Sequence, residues 1–233
     1  MFAIAIDGPA GAGKSSAAKL AAKKLGFIYV DTGALYRTVG LYMIEHGISP
    51  DDLKAVEAAL KEITVELKFL SDGQHVFLGT EDVSDKIRTP QVSMAASTFS
   101  SIPQVRSFLF DLQVSMAEKY NVLMDGRDIG TVVLPHAQVK IFLTASAEER
   151  ARRRCLELEQ KGEKVSYEEV LADIQQRDYQ DSHRAIAPLV PAQDAEIVDT
   201  SDCGLEEAVE RILQIVYKKL PKSPVDFSGL SGI

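Results

Sequence analysis

Residues 8–15 read Gly-Pro-Ala-Gly-Ala-Gly-Lys-Ser, which matches the phosphate-binding pattern G-x-x-x-x-G-K-[ST]. An apolar run over residues 2–6 precedes this loop and predicts a strand. Helical spacing follows over residues 14–25, with Leu20, Ala21 and Leu25 on one side. Strand, glycine-rich loop and helix, in this order, are the context that the pattern requires. A glycine-rich turn with a chance Lys-Ser pair is the alternative, and the context disfavours it.

The residue types in this loop suit phosphate binding. Glycines let the loop curl, so that backbone N–H groups and the positive end of the next helix point at the phosphates. We expect Lys14 to reach the β- and γ-phosphates, the Ser15 hydroxyl to bind Mg²⁺, and Ser16 to donate a hydrogen bond to a phosphate. The predicted ligands are therefore ATP as co-substrate and Mg²⁺ as cofactor. The predicted ATP-binding residues are Gly8, Pro9, Ala10, Gly11, Ala12, Gly13, Lys14, Ser15 and Ser16.

Composition restricts the class of protein. The 233 residues are 45% hydrophobic and fit one large α/β domain with a small insert. A net charge of −8 disfavours nucleic acid polymers and anionic membranes as partners. The two cysteines, Cys155 and Cys203, form no CxxC pair, so neither a disulfide framework nor a thiolate metal site is expected. The N-terminal run has no basic leader, and no apolar run could span a bilayer, so we expect a cytoplasmic protein.

Strand and helix patterns alternate along most of the chain. Short buried strands are predicted at 27–30, 122–124, 139–143 and 196–198, and with the first strand they fit a parallel sheet. Gly26 is a predicted C-cap and Thr32 a predicted N-cap. Alternating residues at 64–70 and around 76–78, joined at Asp72-Gly73, predict a β-hairpin in a peripheral insert. Helices are predicted at 32–46, 51–63, 91–99, 103–120, 146–160, 166–180 and 205–220.

The chain has features of a kinase rather than of other nucleotide-triphosphate enzymes. It has no Asn-Lys-x-Asp motif, which a GTPase would use to read its base, and it is short for a motor. Several arginines outside the loop fit transfer of a phosphoryl group to an anionic acceptor. A module that uses ATP only as a switch is an alternative, but it would not need the arginines at 177 and 184.

Four further segments carry a resemblance. They are Asp31-Thr32-Gly33-Ala34-Leu35-Tyr36-Arg37, Asp125-Gly126-Arg127-Asp128-Ile129-Gly130-Thr131-Val132-Val133, residues 140–150, and Arg177-Asp178 followed by Arg184-Ala185-Ile186-Ala187-Pro188-Leu189. With the opening Ile6-Asp7-Gly8-Pro9 and the hairpin insert, they resemble the bacterial cytidylate kinases in order and spacing over residues 4–220.

The resemblance implies a P-loop nucleoside monophosphate kinase fold: a five-stranded parallel sheet flanked by helices, with an insert over the acceptor and a helical lid. It implies transfer of the γ-phosphate of ATP to CMP or dCMP. We also expect the chain to act as a monomer. A P-loop kinase for another acceptor, such as UMP, AMP or shikimate, is the nearest rival. We expect a single kinase domain over 1–220, with its core at 1–47, 90–145 and 185–220. The insert is expected at 48–89, the lid at 146–184, and a flexible tail at 221–233.

The resemblance also implies roles for individual residues. Arg37, Arg127 and Arg184 are expected to hold the CMP phosphate, and Arg177 and Asp181 the ribose side. Ser97, Arg106 and Asp128 are expected to read cytosine, while Thr32 and Tyr36 lie beside the nucleotide. The predicted catalytic residues are Lys14, Arg127, Arg184 and Asp125.

Two assignments stay open at this point. Asp125 follows an apolar strand as an acid beside Mg²⁺ would, where it could hold a metal-bound water or orient Arg127, but it could also cap the next turn. Asp7 has the same ambiguity. Arginines at positions 150, 152, 153 and 154 are spaced along one helix, so they cannot all face one cleft. We expect one or two of them to cover ATP and at least half to be solvated.

Overall fold

The computed structural model describes residues 1–70, 73–160, 162 and 164–220. Its strands are β1 Ala3–Asp7, β2 Ile28–Asp31, β3 Val65–Leu70, β4 Gly73–Leu78, β5 Glu81–Asp82, β6 Val122–Gly126, β7 Val139–Thr144 and β8 Glu196–Asp199. Its α-helices are α1 Lys14–Leu25, α2 Thr32–Glu45, α3 Leu53–Glu62, α4 Pro90–Phe99, α5 Pro103–Lys119, α6 Ala147–Gln160, α7 Tyr167–His183 and α8 Leu205–Lys219. The predicted tail at 221–233 and Asp72 of the predicted hairpin turn lie outside the described residues.

The larger sheet confirms the predicted five-stranded architecture. Its strand order is β2-β6-β1-β7-β8, and β1 pairs in parallel with both β6 and β7. The pair β7 and β8 is parallel as well. Because neighbouring parallel strands end at the same edge, Asp7 and Asp125 come to lie there in adjacent strands.

Contacts within the chain separate two compact units. Among the described residues, the first consists of Met1–Tyr29 and residues 120–220, and the second of Val30–Lys119. The insert predicted at 48–89 falls within the second unit. Among the described residues, no helix is long and apolar enough to cross a membrane.

In the first unit, α1 and α8 pack on the sheet. Four apolar residues of α8 are buried, namely Val209, Ile212, Leu213 and Val216. On α1 the prediction for Leu20 is wrong, because its side chain is exposed. The other two residues predicted on this side, Ala21 and Leu25, are buried together with Ala17, Ala18 and Ala22, and the small alanines bring the helix close to the strands.

The second unit has its own apolar core. The antiparallel pair β3 and β4 confirms the predicted hairpin, and β5 adds a short third strand. The core is built from side chains of the surrounding helices and this small sheet, among them Leu35, Val39, Val56, Val76 and Leu109. The N-cap of α2 corrects a prediction: Asp31 caps this helix by accepting from the Ala34 N–H, and Thr32 is the first helical residue.

Candidate active site

The glycine-rich loop joins β1 to α1 in a conformation that only glycine allows at its entrance. Gly8 has a φ of 150°, and a Cβ built there would lie 1.9 Å from the backbone oxygen of Leu143. A side chain at this position would therefore collide with the neighbouring strand. The loop closes at Gly13, whose carbonyl accepts the N–H of Ala17 at 3.0 Å. This leaves the first N–H groups of α1 at the end of the loop, as phosphate binding requires.

Lys14 is a buried amine in the first turn of α1. Its ammonium group donates to the Pro9 carbonyl over 2.7 Å, so the side chain curls back along the loop. Burial, together with the positive charge of Arg127, lowers the pKa of Lys14 to about 7. The amine thus lies buried against the loop that is predicted to hold ATP.

Ser15 and Asp125 form an oxygen-rich pair beside the loop. The Ser15 hydroxyl donates to Asp125 Oδ2 at 2.8 Å, and the Tyr29 hydroxyl donates to Asp125 Oδ1 at 3.1 Å. A hydroxyl and a carboxylate are hard oxygen ligands, the kind that Mg²⁺ takes when phosphates and water complete its octahedron. The donor set therefore fits Mg²⁺, with Ser15 and Asp125 as the residues that could hold it.

Asp7 has a positional role that the sequence left open. Its carboxylate accepts the N–H groups of Ile129 and Gly130, each at 2.7 Å, just after Arg127 and Asp128. Burial raises the pKa of Asp7 to about 6. The two bonds hold the backbone of the Gly-Arg-Asp-Ile-Gly segment against the end of β1. They begin a single π-helical turn over Ile129–Val133, which the sequence analysis did not predict.

The acceptor arginines of the first unit lie beside carboxylates. Arg127 Nε donates to Asp181 Oδ2 at 2.8 Å, and Arg184 Nη2 lies 3.6 Å from Asp128 Oδ1 with both side chains buried. In the described part of the chain, the buried Nε of Arg177 has no hydrogen-bond partner. The structure thus brings Arg127, Asp181, Asp128 and Arg184 together in two ion pairs. Asp128 is thus an ion-pair partner of Arg184.

The predicted acceptor residues of the second unit form a separate set. Arg37 donates to Asp31 Oδ2 at 2.8 Å, so the carboxylate that caps α2 also orients this arginine. The guanidinium of Arg106 lies 5.9 Å from the ring centre of Tyr36, a cation–π contact, and it donates to the Ser100 carbonyl. Thr32 is buried at the start of α2, and Ser97 is half-buried on α4.

The four arginines of α6 divide into two kinds. Arg152 pairs with Glu149, and Arg154 pairs with Glu157 at 2.8 Å, both along the helix surface. Arg150 is buried and bonds to the Ala10 carbonyl in the loop. Arg153 lies near the loop as well, since a Cβ built on Gly13 would be 3.9 Å from its Nη1 atom. Sequence spacing alone could not separate the two arginines near the loop from the two surface ones.

Comparison with known proteins agrees with this geometry. The family model described as cytidylate kinase matches residues 4–218. A cytidylate kinase of Caldicellulosiruptor bescii is 51% identical over 215 residues, covering 92% of this chain and 95% of that protein. The cytidylate kinase of Carboxydothermus hydrogenoformans is 50% identical, covering 93% and 97%.

A solved structure of an uncharacterized protein from Eubacterium ventriosum matches at a TM-score of 0.53 and 12% identity, covering 93% of this chain and 99% of that one. At this identity the likeness concerns the fold alone. The family model and the curated relatives each cover nearly the whole described chain, and on that ground the chain belongs to the cytidylate kinase family.

Proposed function

We propose that this chain transfers the γ-phosphate of ATP to CMP, and also to dCMP, giving ADP and CDP or dCDP. The observation that carries the proposal is the match to the cytidylate kinase family over residues 4–218. The glycine-rich loop supports it, because the buried Lys14 lies in the first turn of α1 as an ATP-binding loop requires. The names of the relatives indicate which acceptor is used.

The chemistry needs positioning and positive charge rather than a covalent nucleophile. In phosphoryl transfer the negative charge spreads over the oxygens of the migrating group, and fixed cations stabilise it. Lys14 would follow the γ-phosphate, while Arg127 and Arg184 would hold the acceptor phosphate in line with it. The ion pairs with Asp181 and Asp128 orient these guanidinium groups before substrate arrives.

Ser15 and Asp125 are the proposed residues for Mg²⁺, which when bound would supply positive charge that neutralises the phosphates of ATP. The Tyr29 hydroxyl holds the second oxygen of Asp125, so the carboxylate keeps one orientation.

Further roles remain proposals that rest on the resemblance. Arg37, Arg177 and Asp181 are proposed to contact the phosphate and ribose side of CMP, and Arg106, Ser97 and Asp128 its base. Thr32 and Tyr36 are proposed to lie beside the nucleotide. Of the two α6 arginines near the loop, Arg153 is the proposed ATP contact. A core, insert and lid with the boundaries given above, and a monomeric state, are proposed on the same basis.

A cytoplasmic location is also proposed. The two cysteines are free thiols in the described structure, which fits a reducing compartment.

The decisive experiment is a coupled ADP-release assay with ATP, Mg²⁺ and a panel of acceptors: CMP, dCMP, UMP and AMP. We expect ADP release to depend on CMP or dCMP, with UMP and AMP much poorer. ADP release at the same rate without any acceptor would contradict the proposal and favour a nucleotide-dependent switch. A preference for UMP would favour a kinase for another acceptor.

A further inference from the structure

One guanidinium group in the first unit connects three segments of the chain. Arg150 Nε donates to the Ala145 carbonyl at 2.9 Å, and Nη1 donates to the Ala10 carbonyl at 3.0 Å. Nη1 and Nη2 also donate to the two carboxylate oxygens of Asp178, at 3.0 and 2.6 Å. The Arg150 side chain is 5% exposed, so these bonds lie away from water. We call this set of contacts the Arg150 bridge.

One end of the bridge is the phosphate loop. Ala10 lies in the middle of the loop, and a Cβ built on Gly11 would lie 3.4 Å from Arg150 Cβ. The stem of Arg150 therefore packs against the loop while its head bonds to the loop backbone. A displacement of Arg150 would change the position of the loop that is proposed to hold ATP.

The other end of the bridge is helix α7. Asp178 directly follows Arg177 in this helix and lies one turn before Asp181, which holds Arg127. Arg184 is the C-cap residue of the same helix. The residues of α7 that are proposed to hold the acceptor thus share a rigid element with Asp178.

We propose that Arg150 is a positioning residue for phosphoryl transfer, which sets the distance between the phosphate loop and the acceptor residues of α7. The inference rests on the proposed function, because it takes ATP to be bound at the loop and CMP at α7. It assigns Arg150 no contact with either substrate.

Arginine suits this task better than lysine. Its planar fork can bind a carboxylate with two parallel bonds and still direct Nε and Nη1 to carbonyl oxygens. A lysine at position 150 would have one nitrogen and could not reach all three partners. An Asn at position 178 would keep the shape of Asp178 but would turn one acceptor into a donor that faces Arg150.

Loss of the bridge should affect turnover more than binding. The loop and α7 each keep their own substrate contacts, so ground-state affinity changes little, whereas the in-line approach of the two phosphates loses its alignment. Misplacement of reacting groups by about 1 Å reduces rates by roughly a hundredfold. We therefore expect kcat to fall about ten- to a hundredfold, with KM for ATP and CMP changed less than about threefold.

The test compares Asp178→Asn, Arg150→Lys and the double variant with wild type, measuring kcat, both KM values and the melting temperature. Matched controls are Glu207→Gln and Arg211→Lys, which alter an Arg–Glu pair of 2.8 Å on the surface of α8. We expect the controls to match wild type, and the double variant to lose no more than the worse single variant, because Arg150 and Asp178 act as one unit.

The outcomes separate this inference from the proposed function. If the wild type shows no CMP-dependent ADP release, both the proposed function and the inference about Arg150 are overturned. A working wild type with unchanged kcat in Asp178→Asn, or with a lower melting temperature as the only change, overturns the inference alone. If Arg150→Lys does not fold, Asp178→Asn decides, because it removes the bidentate pair and leaves the bonds of Arg150 to Ala10 and Ala145 in place.

Discussion

Lys14, the proposed catalytic lysine, is a buried charge in the first turn of α1. Its pKa in the folded protein is about 7, against 10.5 for an unburied lysine, chiefly because burial disfavours the charge. Between these two values the unfolded chain binds a proton that the folded chain does not. The resulting destabilisation is therefore fully present below pH 7 and disappears as the pH rises towards 10.5.

Lys14→Met should thus separate catalysis from stability. We expect kcat to fall by about a thousandfold or more, because the charge beside the migrating phosphoryl group is lost. We expect the melting temperature of the nucleotide-free variant at pH 7 to equal or exceed that of wild type. Turnover and thermal melting measured on the same preparations test this. A variant with near-normal kcat would contradict the role of Lys14.

Titration of Asp7 changes the stability with pH in the opposite direction to titration of Lys14. Its pKa is raised from 3.8 to about 6 by burial, so between these values the folded chain binds a proton that the unfolded chain does not. Wild type should therefore gain stability relative to Asp7→Asn by about 1 kcal/mol when the pH is lowered from 7 to 5. Urea unfolding of both proteins at the two pH values measures this difference. A difference that stays constant with pH would show that Asp7 does not titrate in this range.

Asp128 is the residue that we expect to discriminate between cytosine and uracil. A carboxylate can accept from the exocyclic amine of cytosine but is repelled by the carbonyl that uracil has at that position. Asp128→Asn should lower the ratio of kcat/KM for CMP to that for UMP by about tenfold or more. Because Asp128 also pairs with Arg184, we expect the kcat/KM values for CMP and for UMP both to fall. An unchanged ratio would mean that Asp128 only orients Arg184.

At the scale of elements, Asp31 does two things for α2. Its carboxylate accepts the Ala34 N–H at 2.9 Å as an N-cap, and its second oxygen binds Arg37 at 2.8 Å. The Gln74 amide of β4 accepts from the Asp31 backbone N–H at 2.9 Å, so the small sheet supports the same helix start. The end of one strand, the beginning of one helix and a hairpin therefore meet at a single residue.

The capping function can be isolated with two substitutions. Asp31→Ala should destabilise the protein by about 1 kcal/mol or more, because α2 loses its cap, whereas Asp31→Asn should cost much less because asparagine caps nearly as well. Chemical unfolding of the two variants gives the comparison. Equal losses would show that the charge on Arg37, rather than the cap, is what Asp31 stabilises.

At the scale of the whole molecule, binding of both substrates should restrict motion of the segment between Arg150 and Arg184. Kinases of this kind close around their substrates, and closure shields backbone that proteases reach in the open form. We expect CMP together with a non-transferring ATP analogue to slow cleavage of this segment much more than either nucleotide alone. Limited proteolysis with mass spectrometry measures the rates. Equal cleavage in all four states would argue against closure here.

Much of the fold can be predicted from local sequence. The phosphate loop, the helix Lys14–Leu25 and the left-handed C-cap at Gly26 depend on neighbours a few residues apart, and all three are confirmed. The inward face of α8 follows from its period in the same way. The family resemblance added the identity of the acceptor site, because it rests on several separated motifs that occur in one order. Short-range patterns of this kind determine where elements begin, where they end and which chemistry they can carry.

Only the tertiary structure decided which distant groups meet. Arg127 and Asp181 are 54 residues apart, Asp7 and Ile129 are 122 apart, and Ala10 and Arg150 are 140 apart. It also showed that α1 buries small alanines and exposes Leu20, because the helix lies close to the sheet. Ion pairs and backbone hydrogen bonds between remote segments depend on strand order and helix packing. The local spacing of apolar residues does not determine either of these. The phosphate loop could thus be predicted from sequence alone, whereas the carboxylates that pair with Arg127 and Arg184 could not.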